Sequence, residues 1–64
     1  MVRIRRGNHL FLLWKGDHPP RHVHVYRDRV LVVVWDLERW RALRGAATFQ
    51  VLRLLIELRR EGRL

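Results

Sequence analysis

Hydrophobic positions along this chain change period twice, dividing it into a strand-forming majority and a helix-forming end. The first apolar segment, His9-Leu10-Phe11-Leu12-Leu13-Trp14-Lys15, is short, rich in aromatics and closed by Gly16-Asp17, which predicts a strand rather than a helix. Arg3 to Arg6 either extends that strand or forms one of its own ahead of the Gly7-Asn8 turn signal. Alternation is regular from Arg21 to Tyr26 and gives way to a continuous apolar run from Val30 to Trp35, with Arg27-Asp28-Arg29 as a tight link. That pattern predicts a hairpin. An even loop sets Tyr26 opposite Leu31, His24 opposite Val33 and His22 opposite Trp35, while Val25 meets Val32 and Val23 meets Val34 on the other face. The valine face suits a covering helix, and the other mixes histidine and tyrosine with Leu31, Val33 and Trp35.

After Trp35 the pattern breaks. Residues 36–45 fit either a helical turn opened by Asp36 or an irregular strand exit, ended in both cases by Gly45. From Ala46 to Arg60 the period becomes helical: Phe49, Val51, Leu52, Leu55, Ile56 and Leu58 recur on one side, and Gln50, Arg53, Glu57 and Arg60 on the other. The apolar arc is wider than one narrow sheet face covers, so part of it is expected to meet a second chain. The expected fold is α+β, a single domain over residues 1–64 in which an antiparallel three-stranded β-meander packs against one C-terminal α-helix.

Composition narrows the chemistry. The chain has neither cysteine nor serine, which excludes disulfides, thiolate zinc sites and Ser or Cys nucleophiles. At 64 residues, apolar burial is near its lower limit of self-sufficiency, and a homodimer or a small partner protein is expected to assist. No apolar run approaches the roughly 20 residues that span a bilayer, and no apolar core of a signal peptide follows Met1, so a cytoplasmic protein without a membrane partner is expected. Lys+Arg 14 against Asp+Glu 6 gives +8, and every cation but Lys15 is arginine. Guanidinium forks suit phosphates, carboxylates and aromatic faces, which points to RNA or an acidic protein as partner. A GC-rich genome or a thermophilic source would also raise arginine without any binding role.

Candidate chemistry concentrates between His18 and Tyr26. The two prolines stiffen the loop, and strand alternation then points His22, His24 and Tyr26 the same way, the two histidines about 6 to 7 Å apart along the backbone. Three uses stay open. His22 and His24 could act as general base and general acid in metal-independent cleavage of RNA, with Arg21 or Arg27 stabilising phosphorane charge and Tyr26 stacking on a base. They could share a metal with His18, Asp17 being the nearby carboxylate, or pack in an interface without chemistry. Arg39, Arg41 and Arg44 form the densest basic cluster, either a phosphate-binding surface or a solvated one. No Gly-rich phosphate loop is present, and no cofactor is expected. Trp14 and Trp35 are expected as core or interface anchors, Trp40 either as an exposed aromatic or as a hydrophobic lid over the sheet end, and His9 as a half-exposed strand residue.

The run Pro19-Pro20-Arg21-His22-Val23-His24-Val25, the strand from Val30 to Asp36, Gly45 and the leucine-rich last helix together resemble a family of very short bacterial proteins of unknown function. That family carries Pro-Pro-His-[Ile/Val]-His-[Val/Ile] on its second strand. The resemblance extends from His9 onward, carries over to Pro19, Pro20, His22 and His24, and implies a toxin-antitoxin-like pairing, since such proteins are often encoded beside a second short reading frame. Two departures stand out: Arg21 separates the prolines from the first histidine, and Ala46-Ala47 stand where a polar helix cap is often found. The order of strands and final helix is also similar to the HicA type of messenger-RNA interferase, whose first helix and Gly-Ser-His signature this chain lacks.

Overall fold

A computed structural model of the chain describes residues 1–14 and 21–64. Five strands, β1 (Val2–Arg6), β2 (His9–Leu13), β3 (His22–Arg27), β4 (Val30–Asp36) and β5 (Arg41–Gly45), precede one helix, α1 (Phe49–Arg60). They form a single antiparallel sheet in the order β1-β2-β3-β4-β5. The expected three-stranded meander is therefore corrected to five strands, with β1 and β5 added at its edges. Residues 36–45, which the sequence left open, comprise the end of β4, a turn and β5.

Local chemistry closes each link. Gly7, at φ 57, opens the two-residue turn between the paired Arg6 and His9, where a left-handed first position favours glycine. Asp28 and Arg29 both take positive φ, 50 and 69, between the paired Arg27 and Val30, which is the type I′ pattern whose twist matches the flanking strands. Asp36 organises the next turn: its Oδ1 accepts from the backbone N–H of Glu38 at 2.8 Å and of Arg39 at 3.0 Å, an Asx-type arrangement. Trp40 ends that turn at φ 58, and its ring lies edge-on to Trp35 at 5.5 Å with the Arg59 guanidinium 4.7 Å above it. These contacts offset a left-handed conformation that costs a non-glycine residue about 1–2 kcal/mol. Of the two readings the sequence left open for Trp40, the structure bears out the hydrophobic lid, half-buried against the helix, rather than the exposed aromatic.

A β-bulge changes the central register. Tyr26 does pair with Leu31, as the hairpin predicts, but the register then shifts, so that Val25 pairs with Val33, His24 with Val34, Val23 with Trp35 and His22 with Asp36. Val32 is the additional residue. Because side chains alternate, this one-residue slip exchanges the faces of β4. Val33 and Trp35, expected beside the histidines, instead join Val23 and Val25 under the helix, and Val34 and Asp36 take their place. A second shift between Val34 and Trp35 pairs Val34 with Arg44 and Trp35 with Ala42, leaving Leu43 unmatched on β5.

The core lies between the sheet and α1. Ile4, Phe11, Val23, Val25, Val33, Trp35 and Leu37 pack against Val51, Leu55 and Leu58 of the helix. His9, expected half exposed, is buried on this same side at 1 % exposure, since β2 alternates His9, Phe11 and Leu13 inward. The helix starts later than Ala46: Thr48 is its N-cap, with Oγ1 accepting from the Val51 N–H at 3.1 Å. The polar cap that Ala46-Ala47 lack therefore stands one residue further on. Arg6 joins the other end of α1 to β1 through a two-pronged pair with Glu61 and a 3.7 Å contact with Glu57. As expected from the wide apolar arc, the core does not absorb all of it: Phe49 stays 87 % exposed and Ile56 42 %.

Candidate nucleic-acid interface

The face of the sheet opposite α1 has no covering element among the described residues. Its composition follows from alternation in each strand. β3 directs His22, His24 and Tyr26 outward, all half-buried, in one column along the strand. Cross-strand pairing then builds a row over the whole sheet, Arg3, Leu12, His24, Val34 and Arg44, all on this face. Towards the end holding both tight hairpins, Arg5, Leu10, Tyr26 and Leu31 form a second row. Towards the other end His22, Asp36 and Arg41 form a third. Arg41 and Arg44 share this face although three positions apart, because the unmatched Leu43 resets the alternation.

Aromatic rings lie between these guanidinium groups. His22 and His24 approach to 5.3 Å between ring centroids at 61°, and Trp14 meets His24 edge-on at 4.8 Å and 83°. Trp14, expected as a core or interface anchor, is a 40 % exposed ring on this face and outside the core, while Trp35 is a core anchor as expected. Nothing in the local pattern around Trp14 separates it from a core tryptophan. Its position follows from belonging to the same alternating set as Leu10 and Leu12.

The other residues singled out in the sequence scatter. Arg21 precedes β3 and is fixed through its backbone, with its N–H donating to Glu38 Oε2 at 2.6 Å and its carbonyl accepting from the Leu37 N–H at 2.8 Å. Arg27 ends β3 opposite His9, and its exposed Nε lies 3.9 Å from Asp28. Arg39 sits in the Asp36 turn, so the expected cluster of Arg39, Arg41 and Arg44 divides, with only Arg41 and Arg44 beside the histidines. His18, Asp17, Pro19 and Pro20 lie outside the described residues. No group of three or more His, Cys, Asp or Glu side chains that could hold a metal occurs among the described residues.

Electrostatics at the histidine end involve Asp36. Its carboxyl is buried, and the Arg39 N–H holds it below the ordinary value of 3.8; burial opposes this, and the Glu38 N–H and the charges of Arg39 and Arg41 reinforce it. An anionic carboxylate therefore lies across from His22, with its Oδ2 unpaired.

At the hairpin end the face deepens into a groove of about 680 Å³. Arg3, Arg5, Leu10, Leu12 and Tyr26 line its sheet side, and Gly7, Asn8, His9, Asp28 and Arg29 its rim. Sequence analysis missed this groove, because Arg3, Arg5 and Tyr26 are brought together only by pairing of β1 with β2 and of β2 with β3. Among the described residues no helix is long and apolar enough to cross a membrane. No family model, curated protein or solved structure matches the chain.

Proposed function

We propose that this protein is a small basic module that binds single-stranded RNA across its open sheet face, as one member of a bacterial toxin-antitoxin-like pair. One observation carries the binding: Arg3, Arg5, Arg41 and Arg44 flank the rings of Trp14, His22, His24 and Tyr26 on the sheet face that α1 leaves uncovered. Single strands are held by cations that track the phosphates and by rings on which unpaired bases stack, whereas a duplex hides its base faces. Successive outward residues of β3 stand about 6 to 7 Å apart, which gives consecutive stacking platforms along one strand. The pairing itself is supported by the Pro-Pro and His-Val-His-Val resemblance. A second copy or small partner has a surface to use on α1, where exposed Phe49, Arg53, Ile56 and Glu57 follow one another, a stretch whose charges match when two copies meet antiparallel.

Fluorescence anisotropy with a labelled single-stranded RNA and a duplex of the same sequence tests the module. Tighter binding of the single strand, reduced about tenfold by Tyr26→Ala as expected when one stacked base loses its platform, supports it. Equal or absent binding rejects it. A ribonuclease is the second reading, favoured by the 5.3 Å approach of His22 and His24 and by Asp36 across from His22. Its mark is metal-independent cleavage that disappears in both His22→Ala and His24→Ala even at protein concentrations that saturate the RNA.

A further inference from the structure

The groove at the hairpin end combines groups that phosphate binding alone does not explain. Arg3, Arg5 and Arg29 bring positive charge to it and Tyr26 a ring, yet Asp28 also lines it and is the only carboxylate among the described residues that do. An acid in a basic groove weakens its hold on phosphate. The type I′ turn accounts for a short polar residue at φ 50, but asparagine satisfies that conformation equally well. Nor does an ion pair claim the carboxylate: its contact with Arg27 is 3.9 Å long and both side chains are more than half exposed. A carboxylate beside a stacking ring has a distinct chemical use, since it accepts hydrogen bonds from a base edge that presents donors.

Resting on the RNA-binding reading above, we infer that this groove is a guanine subsite. Guanine alone among the RNA bases offers two adjacent donors on its Watson–Crick edge, N1–H and the N2 amino group, which a carboxylate accepts together. Adenine, cytosine and uracil each place an acceptor next to their donor on that edge, and an acceptor facing Asp28 is repelled. The guanine ring stacks on Tyr26, its edge turns to Asp28 at the rim, and Arg3 and Arg5 take the flanking phosphates. The histidine end of the face then receives the neighbouring nucleotides of the same strand.

Binding of labelled oligouridine, and of the same oligouridine with one central guanosine or one central adenosine, tests this in wild type and Asp28→Asn. The variant keeps the turn, because asparagine adopts left-handed φ readily. The expected result is about tenfold tighter binding of the guanosine oligonucleotide than of the adenosine one, reduced to less than threefold in Asp28→Asn, with oligouridine affinity kept or raised by removal of the negative charge. Binding of all three oligonucleotides without a guanosine preference overturns the guanine subsite and leaves the module standing, as does a preference that Asp28→Asn does not change. Failure of every oligonucleotide to bind at low salt overturns both.

Discussion

At the residue scale, two positions act out of proportion to their size. Gly45 sits at φ 69 opposite Val33, and a Cβ added there would overlap the Val32 carbonyl oxygen. Left-handed φ alone costs a non-glycine residue about 1–2 kcal/mol, and the partner atom is backbone, which cannot swing away. Gly45→Ala is expected to lower unfolding free energy by at least about 2 kcal/mol, measured by urea titration. The sequence marked Gly45 as a stop, but not the close approach to β4 that makes glycine necessary.

His9 is the second such position. It is buried at 1 % exposure beside Phe11, its Nδ1 has no hydrogen-bond partner, and burial, assisted by the Arg27 charge and opposed by Asp28, lowers its pKa from the ordinary 6.5. The folded ring therefore resists a proton that the unfolded chain accepts. Stability is unaffected by His9 above the unfolded value, falls as pH drops through about 6.5, and levels off once the folded ring also protonates. In His9→Leu this loss is expected to disappear from urea titrations between pH 7.5 and 5. The carboxyls of Asp36 and Glu61, held down by the Arg39 N–H and by Arg6 respectively, act oppositely. Their contributions persist above the ordinary values of 3.8 and 4.5 and are lost on further acidification, so these losses set in at lower pH than that of His9.

At the element scale, the parts that bury a regular apolar pattern were legible in the sequence: β2 and α1 lie within the segments whose alternation or helical period predicts them, and β3 and β4 run one residue past theirs, to Arg27 and Asp36. The edge strands were not. β1 has a single fully buried side chain, Ile4, and β5 has none, so their conformation comes from hydrogen bonding to a neighbour rather than from a readable face. The bulge at Val32 was equally hidden, because a run of valines fits either register and only the choice of which face meets α1 decides between them. The shared face of His22, His24 and Tyr26 needed only alternation and was read correctly, whereas Asp36, Arg3 and Arg5 entered it through pairing. The helix start is a local matter that can be tested by itself. Thr48→Ala removes the one side-chain acceptor at the N-terminus of α1 and is expected to cost about 1 kcal/mol in thermal or urea unfolding, with Thr48→Ser restoring most of it.

At the scale of the whole molecule, the distribution of charge decides how the proposed binding on the sheet face opposite α1 should depend on salt. The formal charge of +8 comes largely from arginines on β1, β3, β5, α1 and the turns, with none on β2 or β4, and some are already committed: Arg6 to Glu61 and Arg59 to the ring of Trp40. Arg3, Arg5, Arg41 and Arg44 lie on the sheet face opposite α1, two on each edge strand, with β2, β3 and β4 between them. A single strand laid along the middle of the sheet is thus flanked by cations on both sides. Each phosphate neutralised on single-stranded nucleic acid releases counterions, so the logarithm of affinity falls with the logarithm of salt by about 0.7 per contact. If the four arginines each engage one phosphate, the slope is expected near −3, and the double variant Arg3→Ala/Arg44→Ala is expected near −1.5. The double variant Arg60→Ala/Arg63→Ala, exposed at the end of α1 and beyond it, removes the same two charges without touching the face and should leave the slope unchanged. A slope that follows total charge in all variants alike would mean diffuse attraction to a basic surface; a slope that responds only to the sheet arginines locates the strand on them.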